Sequence, residues 1–465
     1  MPIVDFIYLC IVLYIIFNGK TSYKTFYMKL LTLHCFIEIM NLRGYFLLIG
    51  SYELKLESVS MLVTLFFALY GIVLNRLKIS FQVFKFVYIF WSVILFSDVI
   101  FILFPYGERI IDIKLIGAWD LYVAGVVDKV IAEMPSNIWM LYVKIFFWGI
   151  NVAIVKSVYK KADMSIMVED ILRYSVPVLV FGVFEVFDKY GLDDIFNINS
   201  ILNIFLGGGS RVFQELSLRG DYYSLQGLCM EPSHYAYMLF ILSVFKFLNI
   251  QFMCKSFSKS DIFFLVLIWM LAILSGGFSA YWLLFIFLTM IIIANFSVMS
   301  KKIYSILFLL MIVIFAWYSF QDNSYVFMRI NNVIYTIDYL LNNQIYMEAS
   351  MYGDSALPRL VSIIDVFSDF LNRPILGIGF GIEYAHSGFF TLLVEIGGVG
   401  LYVLWILLTY ENQKSYCYHK IIFFVLFFVC NIPVGLPNNM ICQVLYIFLA
   451  ELCLYKKDVV LDGGV

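Results

Sequence analysis

The chain has 465 residues, of which 63% are hydrophobic and 14% charged, with a formal net charge of −2. A soluble protein has no need of that much apolar surface, and a charge so near zero singles out no class of partner; no nucleic acid is expected. Apolar runs of roughly 17–25 residues recur along the whole length, which is the span that crosses about 30 Å of hydrocarbon, and they are continuous rather than alternating, which excludes a β-barrel.

The expected fold is therefore all-α: a polytopic transmembrane helical bundle of about 12–13 spans, forming one integral-membrane domain over 1–465 with the lipid bilayer as its solvent. The spans fall at 2–18, 25–49, 57–75, 83–104, 138–158, 171–187, 233–250, 260–275, 279–296, 303–320, 387–409, 419–434 and 438–455. The first run has no basic leader and no small-residue cleavage site, and reads as a retained helix. Eight cysteines are scattered with no C-x-x-C pair, so they read as small apolar fillers; Cys229 alone falls clearly in an outer loop.

Charge orders the loops. Short loops carrying Lys20, Lys24, Arg76, Lys78, Lys156, Lys160, Lys161, Lys255, Lys259, Lys301, Lys302, Lys414, Lys420, Lys456 and Lys457 alternate with long ones. The positive-inside rule puts the lysine-bearing loops, and with them the C-terminus, in the cytoplasm. The three long loops, 105–137, 188–232 and 321–386, fall on the other side and are each net acidic, yet seven of the nine arginines lie on that side: Arg43, Arg109, Arg211, Arg219, Arg329, Arg359 and Arg373. Guanidinium grips phosphate through a bidentate fork that an ammonium group lacks, so this face suits an anionic, phosphate-bearing ligand.

The loops carry helical patterns of their own. Residues 326–345 repeat apolar side chains at helical spacing and read as an amphipathic surface helix. Pro358 opens a second helix, with Arg359 in its first turn and an apolar stripe of Leu360, Ile363, Ile364, Phe367 and Leu371. It ends at N-R-P-I-L-G-I-G-F-G, whose glycines permit close backbone approach. The 188–232 loop holds another short piece, D-D-I-F-N-I-N-S-I-L-N-I-F-L, stopped by three glycines at 207–209.

Several titratable groups lie in or beside these spans. His34 and Glu38 are four apart on one helix face inside the second span, a pairing suited to a structural hydrogen bond. Asp98, Lys144 and Glu185 lie inside other spans and are expected to face a cavity. His234 and His386 stand at the outer mouths of two spans. In M-E-P-S-H the helix starts at Pro232, with Glu231 favoured beside the positive helix N-terminus and His234 three residues on. Glu231 or His386 could accept a proton from a sugar hydroxyl, and fixed positive charge could hold a pyrophosphate leaving group. The chain has no D-x-D motif, Walker A loop or metal-type His/Cys cluster, so arginine would take the place of a divalent ion, and no cofactor is expected.

Three parts in order, R-G-D-Y-Y-S-L-Q-G-L-C-M-E-P-S-H-Y-A from Arg219, the long late loop, and P-R-L-V-S-I-I-D-V-F-S-D-F-L-N-R-P-I-L-G-I-G-F-G followed by A-H-S-G-F-F-T-L-L-V-E-I-G-G-V-G-L, resemble the bacterial O-antigen polymerase family, within the wider polymerase and ligase group. The resemblance covers roughly 207–410. It implies a metal-independent glycosyltransferase facing the periplasm from the inner membrane. Such an enzyme polymerises undecaprenyl-pyrophosphate-linked oligosaccharides, with a chain-length regulator as a further partner. On that resemblance Arg219 and Arg359, with Arg211 and Arg373 in reserve, would clamp the pyrophosphates. His386 or Glu231 would be the base, and His234 would shape the pocket. The rival readings are an O-antigen ligase, a capsular or exopolysaccharide polymerase and, from another class, a lipid-linked oligosaccharide flippase.

Overall fold

A computed structural model describes residues 3–17, 22–40, 45–49, 52–109, 130–131, 133–136, 138–191, 225–229, 232–252, 257–275, 278–295, 363, 366–382, 387–410, 417–427 and 444–454. Among them are twelve helices: α1 Ile3–Phe17, α2 Tyr23–Met40, α3 Leu56–Val73, α4 Phe81–Leu103, α5 Ile138–Val158, α6 Lys161–Gly191, α7 Pro232–Phe252, α8 Lys259–Leu274, α9 Phe278–Asn295, α10 Gly388–Thr409, α11 Cys417–Phe427 and α12 Val444–Leu454. Each overlaps one of the expected spans, α6 starting at Lys161 rather than at the expected 171; the expected span 303–320, the 193–206 piece and the 326–345 helix lie outside the described residues. The protein is an all-α polytopic membrane protein. Among the described residues five helices, α3, α4, α5, α7 and α10, are long and apolar enough to cross a bilayer.

The bundle is layered by polarity. α7 is the least apolar of those five and the most enclosed, whereas α4 is the most apolar and leaves most of its surface outward. Lipid is as apolar as leucine, so no hydrophobic driving force separates a lipid-facing side chain from a buried one, and polar groups sort to the interior where they find partners. The core gathers Tyr27, Phe90, Trp148, Tyr235, Phe240 and Tyr446, all fully buried. Inside it the Tyr237 and Tyr446 hydroxyls meet at 2.8 Å, Tyr27 donates to Asn151 Oδ1 at 2.6 Å, and Ser165 donates to Asn249 Oδ1 at 2.6 Å.

The two ends of the bundle differ. At one, Lys24 pairs with Asp163 at 2.7 Å, Tyr159 donates to the Lys24 carbonyl, and the Ser80 amide donates to Ser157. At the same end Lys156 reaches Glu451 at 2.7 Å and the carbonyls of Leu408 and Tyr410, which close the C-terminus of α10. Lys24 is thus matched by an acid, and Lys156 by an acid and two carbonyls at a helix C-terminus, the latter as the macrodipole favours. The opposite end holds the N-termini of α7, α10 and α12 and the C-termini of α2, α4, α6 and α8.

One expectation is corrected. The second span does not run to 49: α2 ends at Met40, and β1 Tyr45–Ile49 pairs antiparallel with β2 Tyr52–Lys55. Only Gly50 and Ser51 separate these two β-favouring segments, which is a hairpin signal that the apolar content of Y-F-L-L-I concealed. A second short pair joins β3 Glu108–Arg109 to β4 Val130–Ile131. On the described part of the Pro358 helix, Phe367 and Leu371 of the apolar stripe are exposed, whereas Val366 and Asp369 are buried and Ile363 and Phe370 pack with them. Beside a membrane the apolar face of a helix need not be the face turned to protein. Cys229, in the loop before α7, is a buried free thiol whose Sγ donates to the Met40 carbonyl oxygen at 3.6 Å.

Candidate functional site

The G-x-G-x-G turn and the E-x-G-x-x-G helix, far apart in no obvious way by sequence alone, form one unit at the end opposite the lysines. α10 is broken at Gly397, where φ is 63° and ψ is −173°. That conformation is essentially restricted to glycine. In an unbroken helix the amides of Gly398 and Val399 would donate to the carbonyls of Val394 and Glu395. Here those carbonyls accept instead from the amides of Ile378 at 2.9 Å and Gly379 at 3.3 Å. The freed amides of Gly398 and Val399 donate to the carbonyls of Pro374 at 2.8 Å and Ile375 at 3.0 Å. Two helical bonds are exchanged for four bonds to the turn, so irregular backbone is buried in protein without orphaned groups. Gly377 and Gly379 have positive φ, which lets the turn lie this close.

Carboxylates complete the seat. Asp98 of α4 accepts from the Phe380 amide at 2.6 Å through Oδ1 and from the Tyr142 hydroxyl at 2.8 Å through Oδ2. Glu395 accepts from the Gly381 amide at 2.9 Å, and Ser97 donates to the Leu376 carbonyl at 2.7 Å. Asp98 and Glu395 are each 2% exposed. A second turn is held in the same manner: both Glu185 oxygens of α6 accept amides of the 225–229 segment, Gln226 at 3.0 Å and Gly227 at 2.8 Å. The Leu225 amide donates to the Leu274 carbonyl at the end of α8. Asp98 and Glu185, expected to face a cavity, bind backbone instead. Their partners are N–H groups, which a sequence does not advertise; the signal that could have found them is an intramembrane acid in a chain with glycine-rich turns at one membrane face.

Arg373 stands at the start of the first turn. Its Nη2 donates to the Phe104 carbonyl at 2.7 Å, and its guanidinium lies 4.9 Å from the centre of the Tyr106 ring. Nη1 is buried and has no hydrogen-bond partner among the described residues. An arginine N–H aimed at no acceptor is a costly arrangement unless a ligand or water completes it. His234 lies half-buried in the first turn of α7, which begins at Pro232 as expected. Ser387 caps α10, its side chain accepting from the Phe390 amide. Glu231, His386, Arg211, Arg219 and Arg359 lie outside the described residues. The structure therefore brings Arg373 and His234 to the same end of the bundle.

The buried His34–Glu38 pair forms as expected, at 3.0 Å, but Glu38 also accepts from the Val444 amide at 2.9 Å, and Ser60 lies 3.1 Å from His34 Nδ1. It ties α2, α3 and α12 together. Lys144 reaches Glu57 at 3.3 Å. Compared with known proteins, the chain matches no family model, no curated protein and no solved structure.

Proposed function

We propose that the protein is a metal-independent glycosyltransferase that polymerises undecaprenyl-pyrophosphate-linked oligosaccharide units at the periplasmic face of the bacterial inner membrane, as an O-antigen polymerase does. The acceptor sugar's hydroxyl oxygen attacks the anomeric carbon of the donor chain. The bond from that carbon to the pyrophosphate oxygen breaks, and the hydroxyl proton passes to a base. Undecaprenyl pyrophosphate leaves with the electron pair, and cleavage of the sugar–pyrophosphate bond drives the transfer without ATP.

The observation that carries this reading is the unpaired Nη1 of Arg373. Its guanidinium is seated by the Phe104 carbonyl and the Tyr106 ring, forms no ion pair among the described residues, and stands at the end of the bundle away from the lysines. That is the chemistry for gripping a phosphate oxygen as negative charge develops on a leaving group. The ordered motifs from Arg219 to Gly400 support the choice of reaction, with Arg219 and Arg359 as further clamps and His386 or Glu231 as base.

The test is reconstitution. Purified protein in proteoliposomes, given lipid-linked repeat units without nucleotide or added metal, is expected to produce a ladder of polymer. Arg373→Ala is expected to lower turnover about tenfold or more, the scale of one lost charge-assisted contact. Absence of any ladder from wild-type protein in a membrane where its substrate is intact refutes the proposal; a ladder unchanged by Arg373→Ala removes that arginine from it.

A further inference from the structure

We propose that Asp98 and Glu395 are the positioning residues of Arg373: they hold the 374–381 turn in the break of α10, so that the guanidinium stands beside the Phe104 carbonyl with Nη1 left unpaired among the described residues. The inference rests on the reading of Arg373 as a pyrophosphate clamp.

One helix sets both ends of this arrangement. α4 supplies Asp98 and Ser97 to the turn and, just past its own C-terminus, the Phe104 carbonyl to Arg373. Six residues separate Asp98 from Phe104, about 9 Å of helix rise. The turn therefore dips that far into the bundle from the arginine, and the carboxylates fix how deep it goes. Glu395 reads the same turn from the far side through Gly381, one residue beyond the amide that Asp98 holds.

Both acids are enclosed, with both Asp98 oxygens and Glu395 Oε1 engaged by amides or by Tyr142, so they act through the turn rather than on a substrate. Hydrogen-bond acceptance, not charge, is what the turn requires of them. An amide side chain offers the same oxygen at the same place. This separates positioning from a need for the ionised acid: Asp98→Asn and Glu395→Gln should preserve the seat, and Asp98→Ala and Glu395→Ala should release it.

The experiment uses the full chain in lipid nanodiscs with undecaprenyl pyrophosphate as the probe. Hydrogen–deuterium exchange over 374–382 reports the seat directly. Asp98→Ala is expected to speed exchange there about tenfold or more, and Asp98→Asn to stay near wild type. Probe affinity should fall in Asp98→Ala as it does in Arg373→Ala and recover in Asp98→Asn. The double variant Asp98→Ala/Arg373→Ala should bind no more weakly than Arg373→Ala alone, because residues acting through one another are non-additive. Unchanged exchange in Asp98→Ala, equal damage from Asn and Ala, or additive losses of affinity overturns the inference. If Asp98→Ala does not yield folded protein, Glu395→Ala, which frees only the Gly381 amide, carries the same comparisons. If wild-type protein does not bind the probe, the clamp reading falls, and the exchange results alone decide whether the two acids hold the turn.

Discussion

Two adjacent glycines should differ sharply in their response to the same methyl group. At Gly397 a Cβ would lie 2.5 Å from the Ile375 carbonyl oxygen and 2.7 Å from its carbon, and would also strike the Gly377 amide nitrogen. All of these are backbone atoms of the docked turn, so no side chain can swing aside. The φ of 63° with ψ of −173° adds strain of about 1–3 kcal/mol for any residue with a Cβ. Relieving the clash means pushing the turn away, and four backbone bonds join the two segments. Each is worth about 0.5–1.5 kcal/mol net. Losing half of them with the strain sets the cost of Gly397→Ala at about 2–6 kcal/mol. At Gly398 the nearest atom to a Cβ is the Pro374 oxygen at 3.2 Å, and φ is not positive. That contact needs a shift of a few tenths of an ångström, partly offset by the gain of about 0.5–1 kcal/mol that alanine brings over glycine in a helix. Gly398→Ala should fall within about 1 kcal/mol of wild type on the same grounds. Equilibrium unfolding in mixed detergent micelles, followed by tryptophan fluorescence, measures both. Equal stabilities for the two variants, or a larger loss at 398, would refute the broken-helix seat.

Elsewhere, Glu185→Ala leaves the Gln226 and Gly227 amides without their acceptor and should cost about 2–6 kcal/mol in the same unfolding assay, from about 1–3 for each buried orphan. Glu185→Gln keeps one acceptor oxygen and should cost roughly half as much; equal losses would show that charge, not acceptance, holds the 225–229 turn. Lys156→Met strands Glu451 beside a helix C-terminus and should destabilise by about 3–5 kcal/mol, while Lys156→Met/Glu451→Leu should recover most of the loss. A double-mutant cycle with no coupling between the two positions contradicts that pairing.

What the sequence made legible was whatever depends on local composition. The apolar runs located the helices, Pro232 located the start of α7, and the four-residue spacing of His34 and Glu38 gave a bond that forms at 3.0 Å. The arginine bias singled out Arg373 among others, without showing that its partners are a carbonyl and an aromatic ring. The hairpin at 45–55 was hidden because a hydrophobic strand and a hydrophobic helix end look alike in a membrane protein. On the Pro358 helix periodicity says which side chains share a face, and lipid and protein compete equally for that face. The seats of the two turns were beyond reach because they are backbone contacts. Asp98 meets Phe380 across 282 residues, and Glu185 meets Gly227 across 42, with no side-chain complementarity to betray either.

That long separation has a consequence for how the chain is made. α4 enters the membrane long before residue 380 exists, and at about 5–20 residues per second the ribosome needs roughly 15 s to a minute to supply it. Throughout that interval the aspartate in the newly inserted helix has no native amide to receive, and the helix must wait with an acid in the bilayer, hydrated or protonated. Assembly of this part of the molecule is therefore a late event, completed only when the broken helix and its turn arrive together from the last quarter of the chain.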